Sequence, residues 1–469
     1  MKSVKENFIY NLAYQVLTFL TPLITTPYLS RILGAEKLGI YSYSYSIAYY
    51  FVLFAMLGLN NYGNREIAKV RDDKQLCSKT FCSIYGLQVC TSIVAMLAYC
   101  SYLLFFNCKL ISWFMLMYVI STMFDINWFF WGLEEFKITI IRNTIIKLLT
   151  VIGILLLVKS QDDIYIYTAL MVGGMLLSAI ALWPYLKTRV KFYRPGLKDV
   201  LSHLVPNMVL FIPVIAVSLY KVMDKIMLGN MASYEEVGFY DYSERVIAIP
   251  ICVVNALGTV MLPRMSNLVY KKEDMIEKDT IYKSLLLGVA MACAMSFGLM
   301  SIANIFVPFF YGSGYEKCIT IFYILLPSCI FLAIANVIRT QYLIPHSMDK
   351  QYIISLLLGA VVNLCVNALL IPYMQSIGAA IGTLLAEGCV CAAQFICVKK
   401  YLPIKKYFID IFYLIFSAFI MFFIVLNIPV IGGVSVSLII KIFIGMLVFG
   451  VLIMLKYHAI LHIDVKRNK

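Results

Sequence analysis

The stretch GIYSYSYSIAYYFVLFAMLGLNNYGNR runs from Gly39 to Arg65 and returns as GFYDYSERVIAIPICVVNALGTVMLPR from Gly238 to Arg264. Each copy opens with alternating tyrosines and continues as an apolar helix long enough to cross a membrane. The first copy is predicted to end in a Gly-Asn-Arg turn. Four positions match between the copies with the same spacing of 199 residues. They are the first glycine, the first two tyrosines and the last arginine of each copy. This gapless match predicts a chain made by doubling a helical bundle, with the two copies facing each other across a substrate path.

The composition is that of a membrane protein. Of 469 residues, 62% are hydrophobic and 14% are charged, and the mean hydropathy is +0.87. Apolar runs of about 20 residues, the length of a helix that crosses a bilayer, recur along the chain. They exclude a soluble enzyme, and they exclude a β-barrel because barrel strands alternate apolar with polar residues. We predict an all-α polytopic membrane protein with about fourteen transmembrane helices.

Basic residues are concentrated in every second connection between the predicted spans. This pattern accounts for the net charge of +14 by the positive-inside rule, without nucleic acid as a partner. It places both termini in the cytoplasm. The predicted domains are an N-terminal six-helix lobe at 1–186, a basic cytoplasmic linker at 187–198, a C-terminal six-helix lobe at 199–400, and two extra helices with a cytoplasmic tail at 401–469. Six helices per lobe predict a pseudo-symmetry axis along the membrane normal.

Sequence signatures of catalysis are absent. The chain has no G-x-x-x-x-G-K-[ST] phosphate loop, no G-x-S-x-G nucleophile motif and no H-E-x-x-H zinc motif. Its four histidines are too few and too scattered for a metal site, and most of its thirteen cysteines lie in apolar helices as packing residues. We therefore predict no enzymatic activity, no catalytic residue, no metal site and no cofactor.

The seventh and eighth spans each carry three ionisable residues at the spacing i, i+3, i+4, which shares one helix face. They are Lys221, Asp224 and Lys225 in the seventh span and Asp241, Glu244 and Arg245 in the eighth. Ionisable residues are expensive within a membrane and usually face a cavity. Two interpretations stay open: the three acids and three bases neutralise one another, or the cations contact substrate.

The N-terminal lobe adds Arg31 in the first span and Arg142 and Lys147 in the fifth. Asp125 of the fourth span lies at a similar depth to Arg142, so these two are predicted to form a structural pair. Cations within the spans exceed acids, which favours an anionic substrate such as a phosphate. The tyrosine ladders offer hydroxyls and flat faces to sugars, or they form an interfacial aromatic belt.

Five stretches carry a resemblance to a known family. The chain resembles the Wzx-type polysaccharide flippases of the multidrug/oligosaccharidyl-lipid/polysaccharide exporter superfamily. The stretches are LGAEKLGIYSYSYSI (33–47), GLNNYGNREIAKVRDDK (58–74), DINWFFWGLEEFKITIIRN (125–143), DKIMLG (224–229) and LGTVMLPRMSNL (257–268). With fourteen predicted spans, the resemblance covers essentially the whole chain. It implies two six-helix lobes that form a V, as in multidrug exporters of that superfamily, followed by two extra helices.

The resemblance implies a flippase that moves undecaprenyl-pyrophosphate-linked oligosaccharide repeat units, for O-antigen, capsule or exopolysaccharide assembly, across the bacterial plasma membrane by alternating access. Its cationic lumen would use Arg31, Arg142, Lys147, Lys221, Lys225 and Arg245. The acids with coupling or structural roles would be Asp125, Asp224, Asp241 and Glu244, and the coupled ion would be H+ or Na+. Arg65 and Arg264 would form a cytoplasmic gate or act as positive-inside anchors. Implied partners are the lipid-linked oligosaccharide, membrane lipids, a polysaccharide polymerase and a chain-length regulator.

Three alternatives stay open. A lipid II-type flippase shares the fold and the substrate class. A drug or cation antiporter on the same scaffold would need a net acidic lumen, against the cation excess here. A membrane-embedded polymerase or ligase would need a large outward loop, and the predicted outward loops are short.

Overall fold

The described part of the chain is helical throughout. A computed structural model describes the backbone of residues 4–106 and 108–467, with the side chains in these ranges except those of residues 4–17, 19, 20, 220, 221, 404–406 and 457–467. This backbone forms nineteen α-helices, one 3-10 helix and one π-helix, and it contains no β-strand. The all-α class is therefore confirmed. Contacts divide the chain into two compact units, Met1–Gly238 (unit 1) and Phe239–Lys469 (unit 2).

Unit 1 contains twelve complete α-helices in its described part and the start of a thirteenth. They are α1 (Val4–Met56), α2 (Leu59–Val70), α3 (Lys74–Phe105), α4 (Leu110–Phe114), α5 (Leu116–Phe124), α6 (Asn127–Gly132), α7 (Phe136–Leu157), α8 (Ile164–Ile180), α9 (Trp183–Leu186), α10 (Leu197–Ser202), α11 (Leu204–Lys221), α12 (Met223–Met231) and α13 (Tyr234–Tyr270). The 3-10 helix, Gln161–Asp163, leads into α8. It begins where the side chain of Asp163 accepts a hydrogen bond from the backbone N of Ser160 at 2.7 Å.

Unit 2 contains the rest of α13 and six further α-helices in its described part. They are α14 (Asp274–Tyr311), α15 (Lys317–Leu325), α16 (Ser328–Ile338), α17 (Asp349–Val398), α18 (Ile404–Leu426) and α19 (Val434–Arg467). The π-helix, Arg339–Leu343, extends α16. The predicted bounds of the two lobes and of the two extra helices stay predictions.

Twelve helical segments of the described chain are long and apolar enough to cross a membrane. Two of them are long enough to cross it twice. The segments Thr21–Val70 and Asp349–Val398 each have 50 residues, about 75 Å of straight helix against about 30 Å of hydrocarbon. Each contains a kink where one residue is non-helical, at Gly34 (φ 73°, ψ 175°) in α1 and at Gln375 (φ 54°, ψ −129°) in α17. A glycine suits the first kink because it adopts positive φ without a Cβ clash. Counting both halves of each gives the fourteen spans that the sequence predicts.

The first copy of the repeated stretch breaks earlier than predicted. α1 ends at Met56, Leu57 has a φ of 47°, and α2 begins at Leu59. The predicted Gly-Asn-Arg turn is therefore wrong, because residues 63–65 lie inside α2. Gly63 serves a packing purpose instead, since a Cβ on it would lie 2.5 Å from the Trp128 ring of α6.

A buried hydrophobic cluster in unit 1 joins α2, α3, α6 and α9. Trp128 and Phe81 are both fully buried, and their rings stack with centroids 5.5 Å apart. Leu186 at the end of α9 and Val190 beyond it belong to the same cluster. The cluster therefore fixes the chain that leaves α9 against the first turns of α3.

The predicted seventh span is interrupted. α11 ends at Lys221 and α12 begins at Met223, because Val222 departs from helical dihedral angles (φ −123°, ψ −29°). The spacing rule that puts Lys221 on one face with Asp224 and Lys225 requires a continuous helix, so it does not hold across this break. The side chain of Lys221 lies outside the described residues.

Candidate functional site

In unit 1 the predicted fourth span is interrupted at Asp125, whose backbone is extended (φ −78°, ψ 96°). Oδ1 of Asp125 accepts hydrogen bonds from the backbone N of Asn127 at 3.0 Å and from its side-chain amide at 2.5 Å. Buried Gln88 of α3 holds the break from the other side, donating from Nε2 to the backbone O of Asp125 at 2.8 Å. Oε1 of Gln88 accepts from Nε1 of Trp128 at 2.9 Å. The break is thus fixed at both ends, and it orients Asn127.

Arg142 of α7 lies against this break and is only 7% exposed. Its Nη2 donates to Oδ1 of Asn127 at 2.8 Å, and its Nη1 donates to the backbone O of Ser178 on α8. Asn127 therefore links the guanidinium to Asp125, the partner that the sequence predicts for it. A buried charge needs such compensation from opposite charge and hydrogen bonds. Sequence reasoning missed Asn127, although a carboxylate two residues before an amide is typical of an Asx-turn.

The other unit 1 candidates lie in different environments. Lys147 follows the buried arginine on α7 and is half-buried, as is Lys225 of α12. Asp224 is 1% exposed and lies in the first turn of α12, where the positive end of the helix dipole stabilises a carboxylate. Arg31 is exposed, and its Nη1 donates to the backbone O of Pro27 at 3.0 Å.

The tyrosines of the first copy form a partly exposed stack. The ring of Tyr45 lies parallel to that of Tyr118 from α5, with centroids 5.1 Å apart and hydroxyl oxygens 3.3 Å apart. Tyr41 and Tyr49 stack on either side of Tyr45, with centroids 6.1 Å and 6.3 Å away. Tyr45 and Tyr49 are only half-buried. Flat faces beside hydroxyls are the chemistry predicted for contact with a sugar.

Tyr43 lies on the neighbouring face of α1 and contacts α12 and α13. The sequence predicts that this end of α1 lies on the outer side of the membrane. The Tyr43 hydroxyl donates to Oδ1 of Asn230 at 2.6 Å, and the Tyr43 ring lies 5.3 Å from that of Tyr234. Nζ of Lys109 lies 4.0 Å from the centroid of Tyr234, a cation–π contact, and burial lowers the pKa of Lys109. A Cβ on Gly39 would lie 1.7 Å from the backbone O of Tyr234, so the backbones of α1 and α13 meet here.

In unit 2 the charges of the second copy pair along one helix. Nε and Nη2 of Arg245 both donate to Oδ2 of Asp241 at 2.9 Å, an i, i+4 pair on α13. Asp241 is 5% exposed, and the Arg245 guanidinium carbon lies 5.8 Å from the centroid of the Tyr242 ring. Glu244 is half-buried. One acid and one base of the six ionisable residues thus pair within α13, and both interpretations of the set stay predictions.

The tyrosines of the second copy are core residues. Tyr240 and Tyr242 are both fully buried. The hydroxyls of Tyr240 and Thr383 share a hydrogen bond of 2.9 Å. The ring of Tyr242 lies 5.4 Å from that of Tyr311, whose hydroxyl donates to the backbone O of Tyr242 at 2.8 Å. These rings present no face to a ligand.

The predicted gate residues lie at the surface. Arg65 is exposed, and its Nε donates to Oε1 of Glu66 at 3.1 Å, which also accepts from Nζ of Lys69 at 2.9 Å. Arg264 is exposed on α13. Arg65 lies in unit 1 and Arg264 in unit 2, and the gate stays a prediction.

Hydrogen-bonded amides inside the spans of unit 2 were not singled out from the sequence; Asn336, Asn363 and Asn367 are buried, and Asn255 is exposed. Nδ2 of Asn336 donates to Oδ1 of Asn255 at 2.7 Å. Nδ2 of Asn367 donates to Oδ1 of Asn363 at 3.2 Å on α17. Amides that hydrogen-bond between or along helices contribute to association inside a membrane. Their occurrence within otherwise apolar spans was the signal that could have found them.

Comparison with known proteins adds the family. The chain matches the family described as polysaccharide biosynthesis protein over residues 4–269. A provisionally assigned O-antigen transporter of Escherichia coli is 25% identical over 401 residues, which cover 83% of this chain and 94% of the relative. One from Shigella dysenteriae is 24% identical over 390 residues, covering 82% and 97%. A provisionally assigned flippase of low-salt glycan biosynthesis from Haloferax volcanii is 23% identical over 315 residues, covering 67% and 66%.

Solved structures share the fold. The lipid II flippase MurJ in an inward closed conformation matches with a TM-score of 0.75 at 16% identity, covering 97% of this chain and 100% of that one. An inward-facing multidrug transporter of the MATE family and MOP superfamily matches with a TM-score of 0.57 at 11% identity, covering 81% and 97%. The predicted polytopic fold and the predicted family resemblance are both confirmed.

Proposed function

Because the chain belongs to the polysaccharide biosynthesis protein family, we propose that it is a polysaccharide-precursor flippase of the bacterial plasma membrane. Its substrate would be an undecaprenyl-pyrophosphate-linked oligosaccharide repeat unit, moved from the cytoplasmic to the outer leaflet. The relatives are named as transporters and as a flippase, which supports transport rather than catalysis. Both termini would lie in the cytoplasm. A polysaccharide polymerase and a chain-length regulator would then use the flipped unit.

The observation that carries this proposal is the pair of cations inside α7. Arg142 is 7% exposed within a span, and Lys147 follows it at a half-buried position of the same helix. Each ionisable residue costs at least about 2.5–3.5 kcal/mol at the bilayer centre. Arg142 is compensated by Asn127 and the carbonyl of Ser178. We propose that Lys147, half-buried within the span, meets the pyrophosphate of the substrate, whose charge suits an ammonium group.

Transport would proceed by alternating access. The headgroup enters from the cytoplasmic side and exchanges its hydration for contacts with the cations, while the lipid tail stays in the bilayer. The membrane potential favours outward movement of the anion by about 2.3 kcal/mol per charge per 100 mV. No covalent bond changes, so no cofactor is required. An H+ or Na+ gradient would act at an accessible acid, for which the half-buried Glu244 is suited.

Deleting the gene tests the step at which the protein acts. Lipid-linked repeat units from the deletion strain are separated by their accessibility to a reagent that cannot cross the membrane. We expect the units to accumulate facing the cytoplasm, with no surface polymer. Units that accumulate on the outside without polymerisation would place the protein at a later step and contradict the proposal. Accumulated lipid II in place of the repeat unit would favour the lipid II-type alternative.

A charge-neutralising substitution tests the role of the cations. We expect Lys147→Gln to lower surface polysaccharide at least about ten-fold, equivalent to about 1.4 kcal/mol of lost interaction in the transport step. The matched control is Lys137→Gln, which removes an exposed cation from the same helix. Membrane levels of both variants are measured by immunoblot. Normal polymer from Lys147→Gln at the wild-type protein level would refute the role of Lys147.

A further inference from the structure

A basic cavity lies between the first turns of α3 and the chain that follows α9. Its volume is about 530 Å3, and its walls are Lys74, Gln75, Ser78 and Lys79 on one side and residues 187–193 on the other. We call this cavity the linker cradle. It belongs to unit 1, and it is separate from the cations inside the spans.

The linker wall of the cradle is held in place and is not a free polybasic segment. Leu186 and Val190 are 1% and 5% exposed, within the cluster that contains Trp128. The backbone N of Lys191 donates to Oγ of Ser78 at 3.1 Å, and the backbone N of Tyr193 contacts Sγ of Cys82 at 3.3 Å. A preformed site loses less conformational freedom when it binds a ligand.

The nearby acids are already committed. Oε2 of Glu135 accepts from Nε of Arg189 at 2.6 Å, and Oε1 of Glu134 lies 2.7 Å from Nη1 of Arg71. Glu134 thereby raises the pKa of Arg71. The carboxylate of Asp73 caps α3, accepting from the backbone N of the second and third residues of that helix at 2.8 Å and 3.0 Å.

Four lysines line the cradle without an acidic partner in the described chain, and Nζ of one of them, Lys79, lies 5.7 Å from the centroid of the Tyr193 ring. They are Lys74, Lys79, Lys187 and Lys191, and within the described chain no acidic side chain lies within 4.0 Å of them. All four lysines are exposed. The positive-inside rule accounts for cations in a cytoplasmic connection, but it does not require them to line a common cavity. Four lysines that line one cavity predict a ligand that carries phosphate.

The position of the cradle favours a lipid as the source of that phosphate. One wall begins the span Lys74–Phe105, and the other directly follows the span Gln161–Leu186. Both walls therefore lie where the chain leaves the membrane. Phe192 and Tyr193 are 66% and 45% exposed beside the lysines, and apolar rings next to cations are typical of segments that rest on a lipid surface.

We propose that the linker cradle binds the phosphate headgroup of an anionic phospholipid in the cytoplasmic leaflet, with Lys74, Lys79, Lys187 and Lys191 as the contacting residues. The bound lipid adds to the contacts that already hold residues 187–193, so the anionic lipid content of the membrane controls how often this segment opens locally. This site is independent of the transported substrate, and it takes a bulk membrane lipid.

The test uses the full-length protein in nanodiscs of phosphatidylcholine, with and without phosphatidylglycerol, and hydrogen exchange of the backbone amides of residues 187–193. We expect phosphatidylglycerol to slow exchange at least about five-fold, the effect of about one lysine–lipid contact. In Lys187→Gln/Lys191→Gln this slowing is lost, and folding is retained because both side chains are exposed. The matched control Lys271→Gln/Lys272→Gln removes two exposed lysines of another connection and retains the slowing.

Three outcomes would overturn the proposal. Exchange that is equal in both nanodiscs would show that no anionic lipid binds. Inorganic phosphate or ATP that slows exchange in phosphatidylcholine nanodiscs as strongly as phosphatidylglycerol would identify a soluble anion as the ligand. Loss of slowing in the control variant would show an effect of bulk surface charge, without a built site.

Discussion

The two copies of the repeated stretch, residues 39–65 and 238–264, both begin with a glycine in a close backbone contact, and they differ at several polar positions. A Cβ on Gly39 would lie 2.9 Å from the backbone N of Gly238, and a Cβ on Gly238 would lie 2.0 Å from the backbone O of Ala35. Both glycines therefore serve one close contact between α1 and the first turn of α13, within unit 1. No larger residue fits such a contact, so both copies retain glycine.

The polar positions of the two copies have diverged. Ser42 and Ser46 of the first copy correspond to Asp241 and Arg245 of the second, and Tyr45 corresponds to Glu244. The serines are uncharged, and Oγ of Ser46 donates to the backbone O of Ser42 at 2.7 Å. Their charged counterparts pair with each other on α13. A helix face thus tolerates either neutral residues or charges, provided that the charges arrive as a compensated pair.

The helix path differs as well. The first copy stops at Met56 and restarts as α2, whereas the second continues unbroken in α13 to Tyr270. Tyr41 is buried like its counterpart Tyr240, but Tyr43 is half-buried whereas its counterpart Tyr242 is fully buried. The half-buried Tyr45 and Tyr49 of the first copy have no tyrosine counterpart in the second. The first copy therefore carries a partly accessible aromatic surface at Tyr45 and Tyr49, and the tyrosines of the second copy are part of the core.

Replacing either glycine of this contact, Gly39 or Gly238, by a larger residue is expected to have the largest effect on stability. Gly39→Leu and Gly238→Leu each force a side chain against backbone atoms, which cannot move as a flexible side chain does. We expect a loss of about 3 kcal/mol or more in the free energy of unfolding and little folded protein in membranes. Thermal unfolding of the detergent-purified protein measures this. Gly173→Leu is the control, because nothing lies within 4 Å of a Cβ there. Unfolding temperatures that match the control would show that the contact is loose.

Breaking the charged pair of the second copy is expected to have an intermediate effect. Arg245→Gln leaves Asp241 buried without its cation, and since the Arg245 side chain is 22% exposed we expect a loss of about 1–3 kcal/mol in the free energy of unfolding. The double variant Asp241→Ser/Arg245→Ser, which restores the residues of the first copy, is expected to lose less than half as much. Thermal unfolding of all three proteins gives the comparison. A double variant less stable than the single one would show that the charges do more than neutralise each other.

Removing the arginine that ends each copy, Arg65 or Arg264, is expected to have the smallest effect on stability. Arg65→Gln breaks an exposed pair with Glu66, and Arg264→Gln removes an exposed cation. Exposed ion pairs contribute about 0–1 kcal/mol, so we expect each change to alter the free energy of unfolding by less than about 0.5 kcal/mol. Surface polysaccharide should stay near the wild-type level. Loss of polysaccharide from a stable, well-expressed variant would instead establish the arginine as part of a gate.

Several features could be predicted from the sequence because they depend on local composition. Apolar runs predicted the spans, and dividing the two 50-residue segments at the kinks of Gly34 and Gln375 brings the twelve segments of the described chain to the predicted number. The repeated glycines and tyrosines predicted a doubled bundle, which stays a prediction. Asp125 and Arg142 were predicted as partners from their depth, which follows from the rise of a helix. The intervening Asn127 was not, because a break of two residues inside a span has no hydropathy signal.

The sequence by itself determined that this chain is a polytopic helical membrane protein of a polysaccharide-linked family, with more cations than acids inside its spans. Hydropathy, charge and motif are properties of neighbouring residues, so they can be read without a fold. Only the tertiary structure decided that Tyr45 stays half-exposed while Tyr240 is buried. It also decided that two pairs of lysines, Lys74 with Lys79 and Lys187 with Lys191, which are far apart in the chain, line one cradle. Burial and convergence depend on which helices pack together, and the same residue pattern fits either arrangement until the packing is known.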